Sequence, residues 1–178
     1  MTEPQVSAAA TATLPADAQI LQMALAPFMT QALYVAAKLD VATLLGEGSK
    51  TSADLAAATN PDERSLYRIL RALASVGVFS ETDHHTFVNT PASATLRTDA
   101  PNSTRYFVMF CGEEPHWRNI GHTMYRVKTG RPCWEHVHGE PIFPYMFNTN
   151  KEFGEIFNRA MISLSHQDIE PVIEAVKA

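Results

Sequence analysis

Cysteine is scarce in this sequence, and its seven histidines include only two close pairs. Among 178 residues, Cys111 and Cys133 are the two cysteines, too few for a disulfide scaffold and too far apart for a zinc motif. We therefore predict reduced thiols in a cytoplasmic protein. The close pairs His84–His85 and His136/His138 supply two metal ligands each, whereas a structural zinc site needs four. No metal site is predicted.

Glycine-rich phosphate loops and long apolar runs are also missing. Neither common spacing of a phosphate loop occurs, so no residue is assigned to cofactor binding. No apolar run approaches the roughly 18 residues that span a bilayer, and we predict no membrane association. Residues 1–17 are rich in Ala, Thr and Pro, without the basic and apolar regions of a signal peptide. They predict a disordered tail.

Excess positive charge is absent as well. The 14 basic residues are outnumbered by 19 acidic ones, which gives a net charge of -5. This balance argues against a sequence-independent grip on nucleic acid as the main activity. With 46% hydrophobic residues, the chain is long enough to bury a substantial core.

The most informative segment is 66–79, where a helical pattern runs through a glycine into a strand pattern. Leu66, Ile69, Leu70 and Leu73 recur with the helical period and predict one buried stripe. Gly77 stands where the helix has to stop, since glycine adopts positive φ without penalty. The opposite face carries three arginines: Arg64, Arg68 and Arg71.

The flanking segments complete a winged helix-turn-helix over about 41–90. A hairpin is predicted from Val78 to Asn89, with its turn at residues 83–85. The segment that begins Thr51-Ser52 offers a capping hydroxyl for a short helix through Ala58. Asn60 is the predicted N-cap of the next helix, with Pro61 at its first position. A kinked or split helix is predicted over residues 20–39, because Pro27 interrupts its period.

The C-terminal half is predicted to be mainly helical. Helices are expected over residues 115–127, from Lys151 onward, and as a separate piece over 169–176, with a loop over 133–147. Phe153, Phe157 and Met161 share one helical face at i, i+4 and i+8. Such a row is typical of ordinary core, but flat rings and a polarizable sulfur also suit a planar aromatic guest.

Four motifs in order resemble the class I S-adenosylmethionine-dependent O-methyltransferases of the plant caffeate/isoflavone and bacterial anthracycline type. They are QALYVAAKL at 31–39, LYRILRALASVGVF at 66–79, TGRP at 129–132 leading to HGEP at 138–141, and FNRAM at 157–161. The resemblance covers about residues 20–178 and concerns the N-terminal portion of the family.

The resemblance implies a mainly α fold in which extra N- and C-terminal helices surround the winged helix and form an intertwined homodimer. Residues 18–100 would be the dimerisation domain, and 101–178 a helical extension leading to a Rossmann-like domain. Phe153, Phe157 and Met161 would contact a small aromatic acceptor, and Trp117 is the fourth candidate for substrate binding. S-adenosylmethionine would bind in the full-length enzyme.

The chain departs from the family at its C-terminus. The glycine-rich donor loop, the acidic ribose ligand and the catalytic histidine of the Rossmann-like domain are not in this sequence, so no catalytic residue is assigned and the chain alone is expected to be inactive. Two alternatives stay open: a winged-helix DNA-binding regulator that uses Arg64, Arg68 and Arg71, and a stand-alone ligand-binding or interaction module.

Overall fold

The computed structural model describes the backbone of residues 15–177 and the side chains of residues 15–165. Most of this part of the chain is helical, and one small sheet lies near its N-terminal end. The helices are α1 (Ala16–Lys38), α2 (Val41–Leu45), α3 (Ser52–Thr59), α4 (Glu63–Ser75), α5 (Pro91–Ala94), α6 (Arg105–Gly112), α7 (Glu114–Gly121), α8 (Thr123–Thr129), α9 (Trp134–His138), α10 (Ile142–Pro144) and α11 (Lys151–Lys177). The mainly α fold is confirmed.

The sheet contains the predicted hairpin and one further strand. Strands β2 (Phe79–Asp83) and β3 (Thr86–Asn89) form the hairpin, and β1 (Ser49–Thr51) pairs antiparallel with the other side of β3. The sequence did not predict β1, because three residues are too short to show an alternating pattern.

Helix α4 has the two faces that its sequence predicts. Leu66, Leu70 and Leu73 are buried in the main core, whereas the three arginines of the opposite face are exposed. Gly77 follows the helix with φ of +80°, as its position predicted. The short connection to β2 therefore depends on a residue without a Cβ.

The predicted cap of α3 is confirmed, and the predicted cap of α4 is wrong. Thr51 and Asp54 form a reciprocal capping box at the start of α3. Asn60 instead ends α3 in the left-handed region, with φ of +62°, which asparagine tolerates better than most residues. Asp62 caps α4 by accepting a hydrogen bond from the Ser65 N–H at 2.8 Å.

Helix α1 is continuous rather than split at Pro27. Pro27 lies in the exposed N-terminal half, where water can satisfy the carbonyl that loses its partner. Ala32, Ala36 and Ala37 of the second half are buried. By length and composition alone α1 could cross a membrane, the one such helix among the described residues. No membrane-spanning segment was predicted here, because polar residues interrupt the apolar runs of α1.

The C-terminal half contains three further corrections. The single helix predicted for 115–127 is two helices, α7 and α8, which meet at His122. The loop predicted for 133–147 contains α9 and α10 and leads into a π-helical turn, Tyr145–Thr149. The separate helix predicted for 169–176 is the end of α11, which runs without interruption.

The beginning of the chain lies mostly outside the described residues. Residues 1–14 of the predicted tail belong to that part, and α1 already includes Ala16 and Asp17.

Candidate functional site

Helix α11 places Phe153 at the centre of a group of stacked rings. Its side chain is 1% exposed and lies between Phe110 of α6, at a ring-centroid distance of 5.6 Å, and Trp134 of α9, at 5.9 Å. The interplanar angles are 23° and 12°, so the three rings are nearly parallel. Together with Tyr145 and Phe157, they are called the aromatic cluster below.

The four predicted contact residues are not all part of this cluster. Phe157 is half-buried, and its ring meets Phe110 edge-on at 5.5 Å. Met161 is half-buried one turn further along α11, whereas Trp117 is half-buried on α7 and no ring contact joins it to the cluster in the described chain. The structure thus brings Phe153 and Phe157 together through Phe110, and it leaves Trp117 apart.

Sequence reasoning missed Phe110, Trp134 and Tyr145. These residues come from three separate elements, α6, α9 and the π-helical turn, so no single periodicity connects them with α11. For Trp134 and Tyr145, the one available signal was composition, since the predicted loop over 133–147 is rich in aromatic residues.

Two histidines flank the cluster. His138 packs on Trp134 with ring centroids 4.2 Å apart, and its Nε2 lies 3.0 Å from the Pro115 carbonyl oxygen. Because a carbonyl only accepts, Nε2 carries the proton and donates it. His116 packs on Phe110 at 4.3 Å. Burial lowers the pKa of both rings, which favours their neutral forms.

The neighbouring thiol is not an activated nucleophile. Burial raises the pKa of Cys111 and so keeps it protonated near neutral pH. Both cysteines are free. In the described part of the chain, no three His, Cys, Asp or Glu side chains are placed to hold a metal ion.

One polar atom of the cluster has no partner. Trp134 is 7% exposed, and its Nε1–H finds no hydrogen-bond acceptor among the described residues. Most buried donors in proteins are paired. The polar groups of the cluster are therefore this indole N–H and the Tyr145 hydroxyl, which lies 3.5 Å from the Asn150 side-chain nitrogen; its other ring atoms are carbon.

A charged network connects α1 with the helices that carry the cluster. Lys38 Nζ donates to Glu113 Oε1 at 2.7 Å and to Glu152 Oε1 at 3.0 Å, and Tyr34 donates to the same Glu113 oxygen at 3.3 Å. Glu113 precedes α7, and Glu152 lies in the first turn of α11. These hydrogen bonds hold the C-terminal end of α1 against the starts of α7 and α11.

The comparisons with known proteins agree on one family. Residues 21–99 match the model of the O-methyltransferase dimerisation domain. The phenazine O-methyltransferase PhzM of Lysobacter antibioticus is 36% identical over 91% of this chain and 47% of its own length. The 8-amino-8-demethylriboflavin N,N-dimethyltransferase of Streptomyces davaonensis is 35% identical over 73% of this chain and 38% of its own length.

Solved structures show the same relationship. The crystal structure of LaPhzM is 35% identical and superimposes with a TM-score of 0.86, over 90% of this chain and 48% of that one. The mitomycin 7-O-methyltransferase MmcR gives a TM-score of 0.77 at 32% identity, over 84% and 44%. The chain therefore carries the dimerisation domain of the O-methyltransferase family. It spans about half the length, or less, of the relatives that it matches, in their N-terminal part.

Proposed function

We propose that this chain is the homodimerising, acceptor-positioning part of a cytoplasmic, S-adenosylmethionine-dependent small-molecule O-methyltransferase. The observation that carries the proposal is the aromatic cluster formed between α6, α9 and α11, in a chain that carries a dimerisation domain of this family. Nearly parallel rings provide flat apolar surface, and a planar aromatic molecule stacks favourably on such a surface.

The names of the relatives support a flat acceptor. The related proteins are named for phenazine, riboflavin and mitomycin compounds. For this chain, we assign a phenolic or polyketide-like hydroxyl compound as the acceptor. Phe157 and Met161, which are half-buried, are the proposed contacts, and Phe153 is the buried ring beside them. Trp117, which makes no ring contact with the cluster in the described chain, is proposed as a fourth contact of the acceptor in the intact enzyme.

The described residues do not fit the methyl donor. The three-stranded sheet is antiparallel and lacks the strand, glycine-rich turn and helix that hold such cofactors in Rossmann-like domains. We therefore assign to this chain the positioning of the acceptor and the assembly of the dimer. Donor binding and the catalytic base are assigned to other parts of the intact enzyme.

The exposed half of α1 supports the proposed homodimer. Phe28 is 72% exposed, although solvent-exposed helices usually carry charges. Four more large apolar side chains of the same half are exposed: Ile20, Leu21, Met23 and Leu25. Contiguous apolar surface of this kind marks interaction sites, and a second copy of α1 would cover it.

A binding measurement tests the acceptor site. We expect the chain to bind 1-naphthol, a flat phenolic molecule, in calorimetry, and Phe157→Ala and Met161→Ala to weaken binding by about three- to tenfold, since an aromatic or sulfur–aromatic contact contributes about 0.5–1.5 kcal/mol. Met124→Ala is the matched control, because it removes an exposed thioether from α8. Equal affinities of all four proteins would contradict the proposed site.

A further inference from the structure

We infer that the Trp134 indole N–H donates a hydrogen bond to the small molecule bound at the aromatic cluster. This hydrogen bond would select flat aromatic molecules that carry a carbonyl or carboxylate oxygen on their rim. This inference rests on the proposed function, because it concerns the ligand of the aromatic cluster. It adds a polar specificity element to a site that otherwise consists of apolar ring surface.

The first step of the argument is the cost of the N–H group where it lies. Trp134 is 93% buried, since 7% of its surface is exposed, and Nε1 itself is inaccessible and unpaired in the described chain. A buried donor without an acceptor is costly. A phenylalanine would stack on Phe153 without this cost, so stacking alone does not explain an indole at this position.

The second step is whether a neighbouring side chain accepts a hydrogen bond from the Trp134 N–H. His138, the ring nearest to Trp134, uses its Nε2–H for the Pro115 carbonyl. The Tyr145 hydroxyl lies 3.5 Å from the Asn150 side-chain nitrogen, and Phe153 offers carbon atoms only. None of these groups is hydrogen-bonded to the indole.

The third step is the direction from which an oxygen atom of the ligand can approach Trp134 Nε1. An indole N–H lies in the plane of its ring, whereas Phe153 and His138 pack on the ring at small interplanar angles of 12° and 34°. A hydrogen-bond-accepting atom of the ligand therefore has to approach the indole in its own plane, from the edge that carries Nε1. Oxygen atoms on the rim of a flat molecule suit this approach. Because Nε1 is inaccessible in the described chain, binding requires a neighbouring side chain to shift, and we assign this shift to His138 or Tyr145, which are half-buried and pack against Trp134.

The test compares two ligands that differ by one carboxylate, 1-naphthoate and naphthalene, and uses calorimetry with the whole chain. Trp134→Phe keeps an aromatic ring and removes the N–H. We expect this variant to bind 1-naphthoate about ten- to hundredfold more weakly than the wild type does, since one hydrogen bond to a charged group is lost. Its affinity for naphthalene should stay within about twofold. Tyr67→Phe, which changes a ring that packs against His85 and Phe87, should bind both ligands as the wild type does.

The experiment distinguishes an error in the inferred hydrogen bond from an error in the proposed acceptor site. If Trp134→Phe binds both ligands as the wild type does, the inferred hydrogen bond is wrong and the aromatic site stands. If the wild type binds neither ligand, the proposed acceptor site is wrong and the inference fails with it.

A measurement on the wild type does not depend on the folding of the variant. In nitrogen-15 NMR spectra, the Trp134 indole proton should move downfield on addition of 1-naphthoate and stay in place with naphthalene. The chain has two tryptophans, so the two indole signals can be distinguished by substituting Trp117. An indole proton that 1-naphthoate leaves in place overturns the inference.

Discussion

Lys38 links the end of α1 to the helices that carry the aromatic cluster, through Glu113 and Glu152. The Lys38 side chain is 35% exposed, while the Glu113 side chain beside it is 15% exposed. Lys38→Met would leave that carboxylate without its cation. We expect a loss of about 1 kcal/mol in the free energy of unfolding, at the lower end for such a group because water screens the partly exposed pair. Urea unfolding at pH 8 measures it.

The pH dependence of the same variant identifies the cause of the loss. Burial alone would lower the pKa of Lys38, but hydrogen bonds to Glu113 and Glu152 outweigh it and raise the pKa from 10.5 to about 12. A base whose pKa is raised by folding stabilises the protein fully below its unfolded-state pKa, and this contribution is lost as pH rises through the folded value. The difference between wild type and variant should therefore be constant up to about pH 10 and shrink above it. Lys128→Met, at an exposed position of α8, should show neither effect.

Single residues also show how far the sequence could predict the site. The shared helix face of Phe153 and Phe157 could be predicted because both lie on one helix, where a period of 3.6 residues brings i and i+4 together; their contact with an acceptor stays a prediction. Trp134 and Phe110 meet them only through tertiary packing. The unpaired Trp134 N–H is a property of the folded environment, and no sequence pattern reports it.

At the scale of elements, the packing of α1 against α6 depends on one small residue. Gly112 ends α6, and a Cβ there would overlap the Tyr34 side chain of α1. The Gln31 side chain also donates to the Gly112 carbonyl at 3.1 Å. The two helices therefore approach as closely as backbone allows.

Gly112→Ala should destabilise the chain by about 1–3 kcal/mol, because the two helices have to separate. Gly121→Ala is the matched control, since nothing lies within 4 Å of a Cβ at the end of α7, and it should change stability by less than about 0.5 kcal/mol. Thermal and urea unfolding compare the two variants. Equal stability of both would show that α1 and α6 are not in close contact.

Elements with a clear hydrophobic period could be predicted from the sequence. Boundaries at which two neighbouring residues can both cap a helix could not. Helix α4 and the hairpin have long patterns and a glycine between them, and both are found as predicted. The boundary between α3 and α4 was misplaced, because Asn60 and Asp62 can both cap helices and the left-handed geometry at Asn60 decides between them. Likewise, Pro27 did not split α1, since its position on an exposed stretch makes the lost hydrogen bond inexpensive.

For the whole molecule, the exposed half of α1 is the feature that a single copy does not explain. If two copies cover it, polar substitutions there should separate them. The double variant Leu21→Asp and Phe28→Asp is expected to be monomeric at micromolar concentration, because burying two carboxylates in an apolar interface costs more than the interface gains. Val76→Asp, at another exposed apolar position after α4, should leave the assembly unchanged.

Sedimentation equilibrium of the unmodified chain tests the proposed assembly most directly. The chain has a mass of 19.6 kDa. A homodimer through α1 predicts about twice that mass at micromolar concentration, and a return to the single-chain mass in the α1 double variant. A single-chain mass for the unmodified protein over the same concentration range would contradict the proposed homodimer and, with it, the role assigned to the exposed half of α1.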